Sequence, residues 1–427
     1  MPGSDDGCMD DIRFSRFIVL LTVGCMVPAC GAAGPSASVL EVRAADSLPP
    51  PQPAAALAAP AAIAPPSPDG NPFAGATFAA SPNYAANVER TAKAHPSEAD
   101  RLRKVETYAT ALWVSSVGDV AKVAPALDAA RREEQSAKAP VLTAFAVYDL
   151  PDRDCSAKAS AGDLASTSGG ERRYEREIID KMAASFAAHR ASRIVVFLEP
   201  DSLANLATNK GIAKCHDAER VYKSSLAYAI RTLAMPNVTL YLDAAHAGWL
   251  GWTKNREEFV RIVAEVLSAA GGADKIRGFV TNVSNYDTLG SGDLAALEPS
   301  DPAKGELDYV HLLDESLTAA GIGGKAFVID TSRNGRSHLR THAGSWCNVR
   351  SAGLGSRPTA SPAPLVDAYF WVKPPGESDG ASDAGQPGYD PNCGGPGAPD
   401  SAENAPGAGS WFDAYFVELA KNADPPL

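Results

Sequence analysis

Apolar, strand-like runs that each end in polar or acidic residues recur through this chain of 427 residues. The run 193–198 leads directly into Glu199 and Asp201, and two later runs end at Asp243 and Asp330. Amphipathic helical stretches separate these runs. Because the carboxyl ends of parallel strands form the active face of an α/β barrel, the pattern predicts a barrel with its chemistry at those ends. Asp201 is the first candidate for that chemistry.

The pattern predicts seven strands, near 109–114, 141–149, 193–198, 238–242, 276–281, 326–330 and 366–372. Helices are predicted over 172–189, 216–234, 255–270 and 306–320. Seven strands alternating with helices favour an α/β fold, a distorted parallel β/α barrel similar to a TIM barrel. A doubly wound open sheet is the alternative, although no Gly-rich phosphate-binding fingerprint follows the first strand.

The charge balance limits the partners of the chain. The formal net charge is -12 and the isoelectric point is near 5.1. A surface that binds nucleic acid or an anionic membrane needs clustered Lys and Arg, so neither is expected as a partner. A neutral polymer is compatible with this composition.

The N-terminal region has the composition of an export signal and a linker. Residues 1–30 combine a short basic stretch with the apolar run 17–23, which is too short for a membrane-spanning helix. Lipidation of Cys30 and ordinary cleavage nearby are both open, so the protein is expected to be secreted or tethered to the cell surface. Residues 31–70 are rich in Pro and Ala and predict a semi-rigid linker. One large domain is predicted over 71–427.

Seven cysteines are present, and three of them lie in or before the signal. The other four are Cys155, Cys215, Cys347 and Cys393. Four cysteines in an exported domain predict two disulfides. A metal site is the rival interpretation, but the four are widely separated and the chain has no CxxC or HExxH pattern. We therefore expect no metal, and no cofactor motif is present.

Carboxylates at strand ends, aromatic residues in the same loops and the lack of a cofactor motif are the ingredients of glycoside hydrolysis. Six segments, in this order along the chain, resemble glycoside hydrolase family 6: 148–155, 198–206, 241–252, 281–286, 346–348 and 371–380. The resemblance runs from about Asn71 to the C-terminus. That family contains cellobiohydrolases and endoglucanases, which hydrolyse β-1,4-glucan with inversion.

The resemblance implies the catalytic roles. Asp201 is expected to be the general acid, and Asp154 the second carboxylate that raises its pKa and helps to orient water. Asp379 matches the proposed base, and cations at Arg333 and Lys373 are expected to pair with it and lower its basicity. Two further catalytic positions are Ser160, which helps to hold the attacking water, and Tyr148, which presses on the sugar at the cleavage point. Asp243 and Asp330 are expected to be buried structural carboxylates.

Sugar rings have apolar faces that stack on indole, which makes four tryptophans the candidate platforms: Trp113, Trp249, Trp252 and Trp346. The resemblance adds six polar residues as substrate-binding candidates: His246, Asn282, Lys373, Glu377, Arg153 and Arg333. Cellulose and cello-oligosaccharides are therefore the expected ligands of a monomeric enzyme.

The length of two loops bears on the mode of cleavage. The resemblance implies disulfides Cys155–Cys215 and Cys347–Cys393, which would attach the long loops 155–170 and 379–411 to the barrel. Such loops are expected to roof the cleft and favour a cellobiohydrolase that releases cellobiose from non-reducing ends. An endoglucanase with an open groove is the close alternative. A non-catalytic glucan-binding surface protein is a third, against which the presence of all three catalytic carboxylates argues.

Overall fold

The structure is a computed structural model that describes residues 70–427. The predicted signal over 1–30, nearly all of the predicted linker and the candidate lipid anchor at Cys30 lie outside the described residues. Within 70–427, none of the helices is both long enough and apolar enough to cross a membrane.

One sheet organises the described part of the chain. Its strands are β1 Thr77–Phe78, β2 Leu112–Val114, β3 Val141–Val147, β4 Arg193–Leu198, β5 Val238–Asp243, β6 Gly278–Thr281, β7 Ala326–Asp330, β8 Thr359–Ala363 and β9 Val366–Phe370. Neighbours follow the order β1, β3, β4, β5, β6, β7, β9, β8, and β2 also pairs with β3. Every pair is parallel except β8 with β9. The predicted distorted parallel α/β barrel is confirmed, and β1 adds an eighth parallel strand to the seven that were predicted.

The barrel closes incompletely between β9 and β2. Only one bridge, between Thr110 and Trp371, joins the two segments, supported by the hydrogen bond of 2.8 Å from Trp113 Nε1 to the Val372 carbonyl. The short strands β1 and β2 divide one edge of β3, with β1 at its start and β2 at its end. The sheet is therefore a distorted barrel, open where a full-length strand would complete it.

The described residues form twelve α-helices, most of which cover the outer face of the sheet. They are α1 Pro82–Ala94, α2 Ala99–Arg103, α3 Val123–Ala137, α4 Gly170–Arg173, α5 Asp180–Ala188, α6 Ser202–Thr208, α7 Ala213–Leu233, α8 Ala247–Leu250, α9 Thr253–Ala270, α10 Leu294–Leu297, α11 Glu306–Ala319 and α12 Asp413–Lys421. Local sequence sets several boundaries. Ser81 caps α1 and Pro82 occupies its first turn, while Gly271 ends α9 with a φ of 100°.

Alternation along the strands separates two apolar cores. In β4, Val195 and Phe197 point into the barrel, while Ile194 and Val196 pack against the outer helices. All four side chains are buried, because helices cover the outer face and the barrel interior is filled. The strands consequently read as continuous apolar runs, which is why they were visible in the sequence.

Aromatic side chains fill the interior beneath the active face. Phe73 lies 5.7 Å from Phe370 and 6.2 Å from Tyr241 between ring centroids, and Phe78 lies 5.8 Å from Phe370. Phe197 contacts both Tyr241 and Phe370. The segment before α1 thus closes the part of the barrel that the short strands leave open.

Several elements were missing from the sequence prediction. These are β1, the antiparallel β8, and the helices α1, α2, α3, α6, α8, α10 and α12. The strand predicted over 366–372 ends at Phe370, and the one predicted over 276–281 begins at Gly278. The two-residue β1 and the four-residue α8 and α10 carry too few residues for a period to be recognised, whereas α1 and α3, with 13 and 15 residues, are long enough and were missed.

Replacement of Phe197 by Ala tests the interior core. Phe197 is fully buried among aromatic neighbours, so Phe197→Ala is expected to lower the free energy of unfolding by about 3 to 5 kcal/mol. Chemical denaturation of both proteins measures the difference. Ile212→Ala, at a side chain that is 40% exposed, is the control and should change stability by about 0.5 kcal/mol or less.

Candidate active site

A cavity of about 350 Å³ lies at the C-terminal ends of the parallel strands. Residues after β2, β3, β4, β5, β6 and β9 line it, together with the segment that contains Ala343, Gly344 and Trp346. All three predicted catalytic carboxylates, Asp154, Asp201 and Asp379, line this one cavity. The topology therefore brings together residues that are up to 225 positions apart.

Asp201 stands on a left-handed turn between β4 and α6. Its φ is 65°, and Glu199 in the same turn has a φ of 51°. Non-glycine residues adopt such angles only when surrounding contacts enforce them, and they are concentrated at functional sites. Removal from water raises the pKa of Asp201 well above its ordinary value, and the nearby carboxylates of Asp243, Asp154 and Asp379 raise it further.

Asp243 and Asp201 are neighbouring carboxyl groups, and we assign a negative charge to one and a proton to the other. Asp243 Oδ2 accepts hydrogen bonds from the backbone N–H groups of Asp201, at 2.9 Å, and Ala245, at 3.0 Å. Two such donors favour the ionised form. Burial nevertheless raises the pKa of Asp243 to about 7. We assign the negative charge to Asp243 and the proton to Asp201, since only Asp243 is stabilised as an anion by these backbone donors.

Asp154, the third carboxylate of this group, is held by a hydrogen bond from Tyr148. The Tyr148 hydroxyl donates a hydrogen bond of 2.7 Å to Asp154 Oδ1. Burial raises the pKa of Asp154, against the opposing effect of this hydrogen bond. The Arg153 guanidinium lies 4.4 Å from the centre of the Tyr148 ring and donates to the backbone carbonyls of Tyr148, Ser115 and Ser160. Tyr148 and Asp154 are thus a fixed pair.

Asp379 has a different environment. The guanidinium of Arg333 donates from Nη1 to both Asp379 oxygens, at 2.8 and 2.9 Å. Oδ2 also accepts from the Tyr286 hydroxyl at 3.0 Å and from the Asn348 N–H at 2.8 Å. Asp379 is thus held in an ion pair with Arg333 and by two further hydrogen-bond donors. Oδ1 accepts only from Arg333, whereas Oδ2 has three donors, so Oδ1 is the oxygen with free acceptor capacity.

Lys373 does not make the ion pair with Asp379 that the sequence suggested. Its Nζ lies 4.0 Å from Glu377, 5.4 Å from the centre of the Trp113 ring and 3.4 Å from the Ser378 carbonyl. Lys373 and Trp113 both line the cavity. The charge of Lys373 therefore lies beside Trp113 at the cavity wall, whereas Arg333 is the cation that pairs with Asp379.

The aromatic walls agree with three of the four predicted platforms. Trp113, Trp249 and Trp346 line the cavity. The indole N–H of Trp249 donates to Thr208 at 2.7 Å, which fixes its ring plane, and the ring of His246 lies 6.0 Å from it. Trp252, predicted as the fourth platform, begins the next helix and lies outside the cavity lining.

A family model for glycosyl hydrolases family 6 matches residues 73–423. The chain belongs to this family. A 1,4-β-D-glucan cellobiohydrolase C from Emericella nidulans is 39% identical over 366 residues, which are 83% of this chain and 79% of the relative. Exoglucanase 3 from Agaricus bisporus is 38% identical over 84% of this chain and 80% of its own length.

Solved structures of family 6 proteins have the same fold. Cellobiohydrolase II (Cel6A) from Humicola insolens, in complex with glucose and cellotetraose, has a TM-score of 0.80 at 34% identity. The match covers 84% of this chain and 100% of the Humicola insolens chain. The catalytic core domain of Cel6A from Chaetomium thermophilum has a TM-score of 0.80 at 37% identity, with coverages of 83% and 99%. The chain is a glycoside hydrolase, as its sequence predicted.

Four polar residues predicted to bind substrate lie behind the wall of this family 6 cavity. Asn282 is fully buried, and its amide group donates to the carbonyls of Asp287 and Asp330. Arg153 and Arg333 are occupied by the contacts described above, and Glu377 lies outside the lining. These side chains support the residues that face the cavity instead of facing it themselves. His246, Lys373, Ser160 and Tyr148 do line it.

Other lining residues were not predicted. Asn205 in α6 accepts from the Ser156 hydroxyl at 2.6 Å and donates to the Asp201 carbonyl at 3.0 Å. Ser284 and Asn285 follow β6 and also line the cavity. Asn205, Ser284 and Asn285 stand inside segments that carried the family resemblance, so that signal was present in the sequence. Ala343 and Gly344 lie in a segment without any motif.

Both predicted disulfides, Cys155–Cys215 and Cys347–Cys393, are confirmed. The covering role of the loop 379–411 stays a prediction, and Asp379 is the residue of this loop that lines the cavity. The remainder packs on neighbouring loops: Asp390 accepts from the Lys158 N–H at 2.8 Å, and Asp400 accepts from the Thr341 N–H at 2.8 Å. The segment 340–346 supplies the wall instead.

Glu199 provides a pH test of the supporting carboxylates. It accepts from the N–H groups of Asp149 and Leu150 and from the Tyr174 hydroxyl, and burial raises its pKa from 4.5 to about 7. Between these values the folded state binds more protons than the unfolded state, so stability falls as pH rises. Glu199→Gln removes this titration. Relative to the variant, the wild type should lose about 3 kcal/mol of unfolding free energy between pH 4.5 and 7.5. Chemical denaturation across that range measures it, and a difference independent of pH would contradict the assignment.

Proposed function

We propose that this family 6 glycoside hydrolase is an inverting 1,4-β-cellobiohydrolase that releases cellobiose from the non-reducing ends of cellulose chains. The observation that carries the proposal is the contrast between two carboxyl groups on one cavity. Asp201 has a raised pKa and lies near other carboxylates, whereas Asp379 makes an ion pair with the Arg333 guanidinium. The names of the relatives, cellobiohydrolase and exoglucanase, support the same substrate.

Asp201 acts as the general acid in the proposed reaction. It donates its proton to the glycosidic oxygen as the bond to the anomeric carbon breaks, so the departing chain leaves as an alcohol. Asp154 and Asp243 raise its pKa in the resting enzyme. Once Asp201 has lost its proton, the same neighbours favour its reprotonation from solvent, which completes the cycle.

Water attacks the anomeric carbon from the opposite face, and its proton must pass to a base. Asp379 is the proposed base, acting through Oδ1. The water becomes acidic as it begins to bond to the cationic sugar, and Asp379 then accepts its proton and afterwards releases it to solvent. Ser160 lines the same cavity and is the proposed hydrogen-bond partner of that water. Inversion at the anomeric carbon follows.

The walls of the cavity suit a linear glucan. Trp113, Trp249 and Trp346 offer indole faces to the apolar faces of glucose rings, while His246 and Lys373 offer polar groups to hydroxyls. Tyr148, fixed by Asp154, is placed to press on the ring at the cleavage point. Two segments, one after Cys155 and one over 340–346, flank the cavity and favour cleavage near a chain end.

Export is the inferred fate of the protein. Two disulfides in the catalytic domain form in oxidising compartments, and the composition of residues 1–30 fits an export signal. Lipidation at Cys30 would tether the enzyme to the cell surface, and ordinary cleavage would release it. We also propose that the enzyme works as a monomer.

A time course on cellohexaose tests the reaction. Proton NMR should detect α-anomer as the first product, and chromatography should detect mainly cellobiose and cellotetraose. Fresh β-anomer would overturn inversion. Product lengths distributed evenly from the start would favour the endoglucanase alternative, and a lack of products would favour the glucan-binding protein.

Asp201→Asn tests the general acid. The amide retains the shape of the side chain but cannot donate a proton to the leaving oxygen, so kcat on cellohexaose should fall by about 10² to 10⁴ fold. The dissociation constant for cellotetraose, measured by calorimetry, should change by no more than about threefold, since binding uses the walls. An equal loss of binding and turnover would count against the assignment.

A further inference from the structure

Arg340 occupies a buried position between two walls of the cavity. Its side chain is 1% exposed. Nε donates to Asp293 Oδ2 at 2.9 Å, and Nη2 donates to Asp293 Oδ1 at 3.0 Å and to Asp287 Oδ1 at 2.5 Å. Asp287 and Asp293 are buried as well. One guanidinium therefore joins the segment that contains Arg340 to two carboxylates of the segment between β6 and α10.

Asp287 connects Arg340 to the wall that carries His246. Its second oxygen, Oδ2, lies 2.7 Å from His246 Nδ1 and accepts the Gly248 N–H at 2.7 Å. Both His246 and Gly248 line the cavity. Because a carboxylate oxygen accepts the hydrogen bond from Nδ1–H, the contact orients the imidazole and leaves Nε2 as the remaining polar atom of the ring.

The residues that follow Arg340 form the opposite wall. We call residues 340–346 the roof segment, and its members Ala343, Gly344 and Trp346 line the cavity. Its far side is held by Asp400, which accepts from the Thr341 N–H at 2.8 Å, the Thr341 hydroxyl at 3.0 Å and the Ser345 hydroxyl. The roof segment is thus attached at two places, to Asp287 and Asp293 through Arg340 and to the loop 379–411 through Asp400.

We propose that Arg340 is a positioning residue that determines the mode of cleavage. It holds the roof segment to the wall carrying His246, so that a linear β-1,4-glucan enters the cavity by its end and not from the side. The inference rests on the proposed function. It assigns a role in substrate access to a residue that does not itself face the substrate.

The choice of variant follows from the burial of the pair. Removing Arg340 altogether would leave Asp287 and Asp293 as buried charges without a counterion, which endangers folding. Arg340→Lys keeps the positive charge. An ammonium group cannot reproduce the planar fork that contacts two carboxylates, so the roof segment should loosen while the local charge is retained.

The experiment compares the intact wild-type and Arg340→Lys enzymes on cellohexaose and on soluble carboxymethylcellulose. Arg340→Lys should raise KM for cellohexaose about threefold with kcat within about twofold of wild type. Loss of viscosity per reducing end released should rise about threefold, because chains can then enter from the side. Asp400→Asn, which weakens the other attachment, should increase the viscosity ratio in the same direction.

Arg261→Lys is the matched control, since Arg261 forms exposed pairs with Glu258 and Glu265 on α9. Both measures should stay at the wild-type value in this control. The inference is overturned if Arg340→Lys matches Arg261→Lys in KM and viscosity ratio, even where its thermal midpoint falls. If the yield of Arg340→Lys is too low, Asp293→Asn tests the same fork and should show the same direction of change. Failure of the wild type to release cellobiose would instead overturn the proposed function.

Discussion

Buried carboxylates at the C-terminal edge of the sheet bind backbone N–H groups from neighbouring strand ends, and the active face depends on these bonds. Glu199 after β4 accepts from residues after β3, and Asp243 at the end of β5 accepts from Asp201 after β4. Asp287 after β6 accepts from the segment after β5. Asp330 at the end of β7 accepts from the segments after β6 and β9. Each adjacent pair of strands from β3 to β9 is therefore joined at the edge where the chemistry takes place.

This arrangement also explains how similar carboxyl groups acquire different roles. A carboxyl group that is removed from water beside other carboxylates retains its proton, whereas one that is paired with a guanidinium remains ionised. Asp201 is buried near three other carboxylates, and Asp379 is paired with the Arg333 guanidinium. Two backbone N–H groups donate to Asp243, which favours its ionised form. The proposed acid and the proposed base are thus distinguished by neighbours that come from other strand ends, and not by their own positions along the chain.

The sequence predicted what is repeated or strongly patterned. Seven buried strands read as apolar runs, and the carboxylates after them, such as Asp201 and Asp243, were placed correctly because every parallel strand ends at the same edge. The roles of the residues behind the cavity wall were harder to predict from the sequence. Asn282 and Glu377 were expected to face the substrate, but whether a side chain at a strand end faces a cavity or its support depends on its turn. Arg340 belongs to no motif, and its partners lie 47 and 53 positions away.

Enclosure of the substrate depends on attachment more than on loop length. The loop 379–411 is long, which suggested a roof, yet most of it braces other loops and Asp379 alone lines the cavity. The shorter roof segment 340–346 lines the cavity and is held by two attachments, the Arg340 fork and Asp400, while the disulfide of Cys347 anchors the next residue. A long loop without such links would move away from the cleft as it fluctuates, because conformational entropy opposes any single closed arrangement of a free loop. Two enzymes with loops of equal length can therefore differ in their mode of cleavage through a few buried polar contacts.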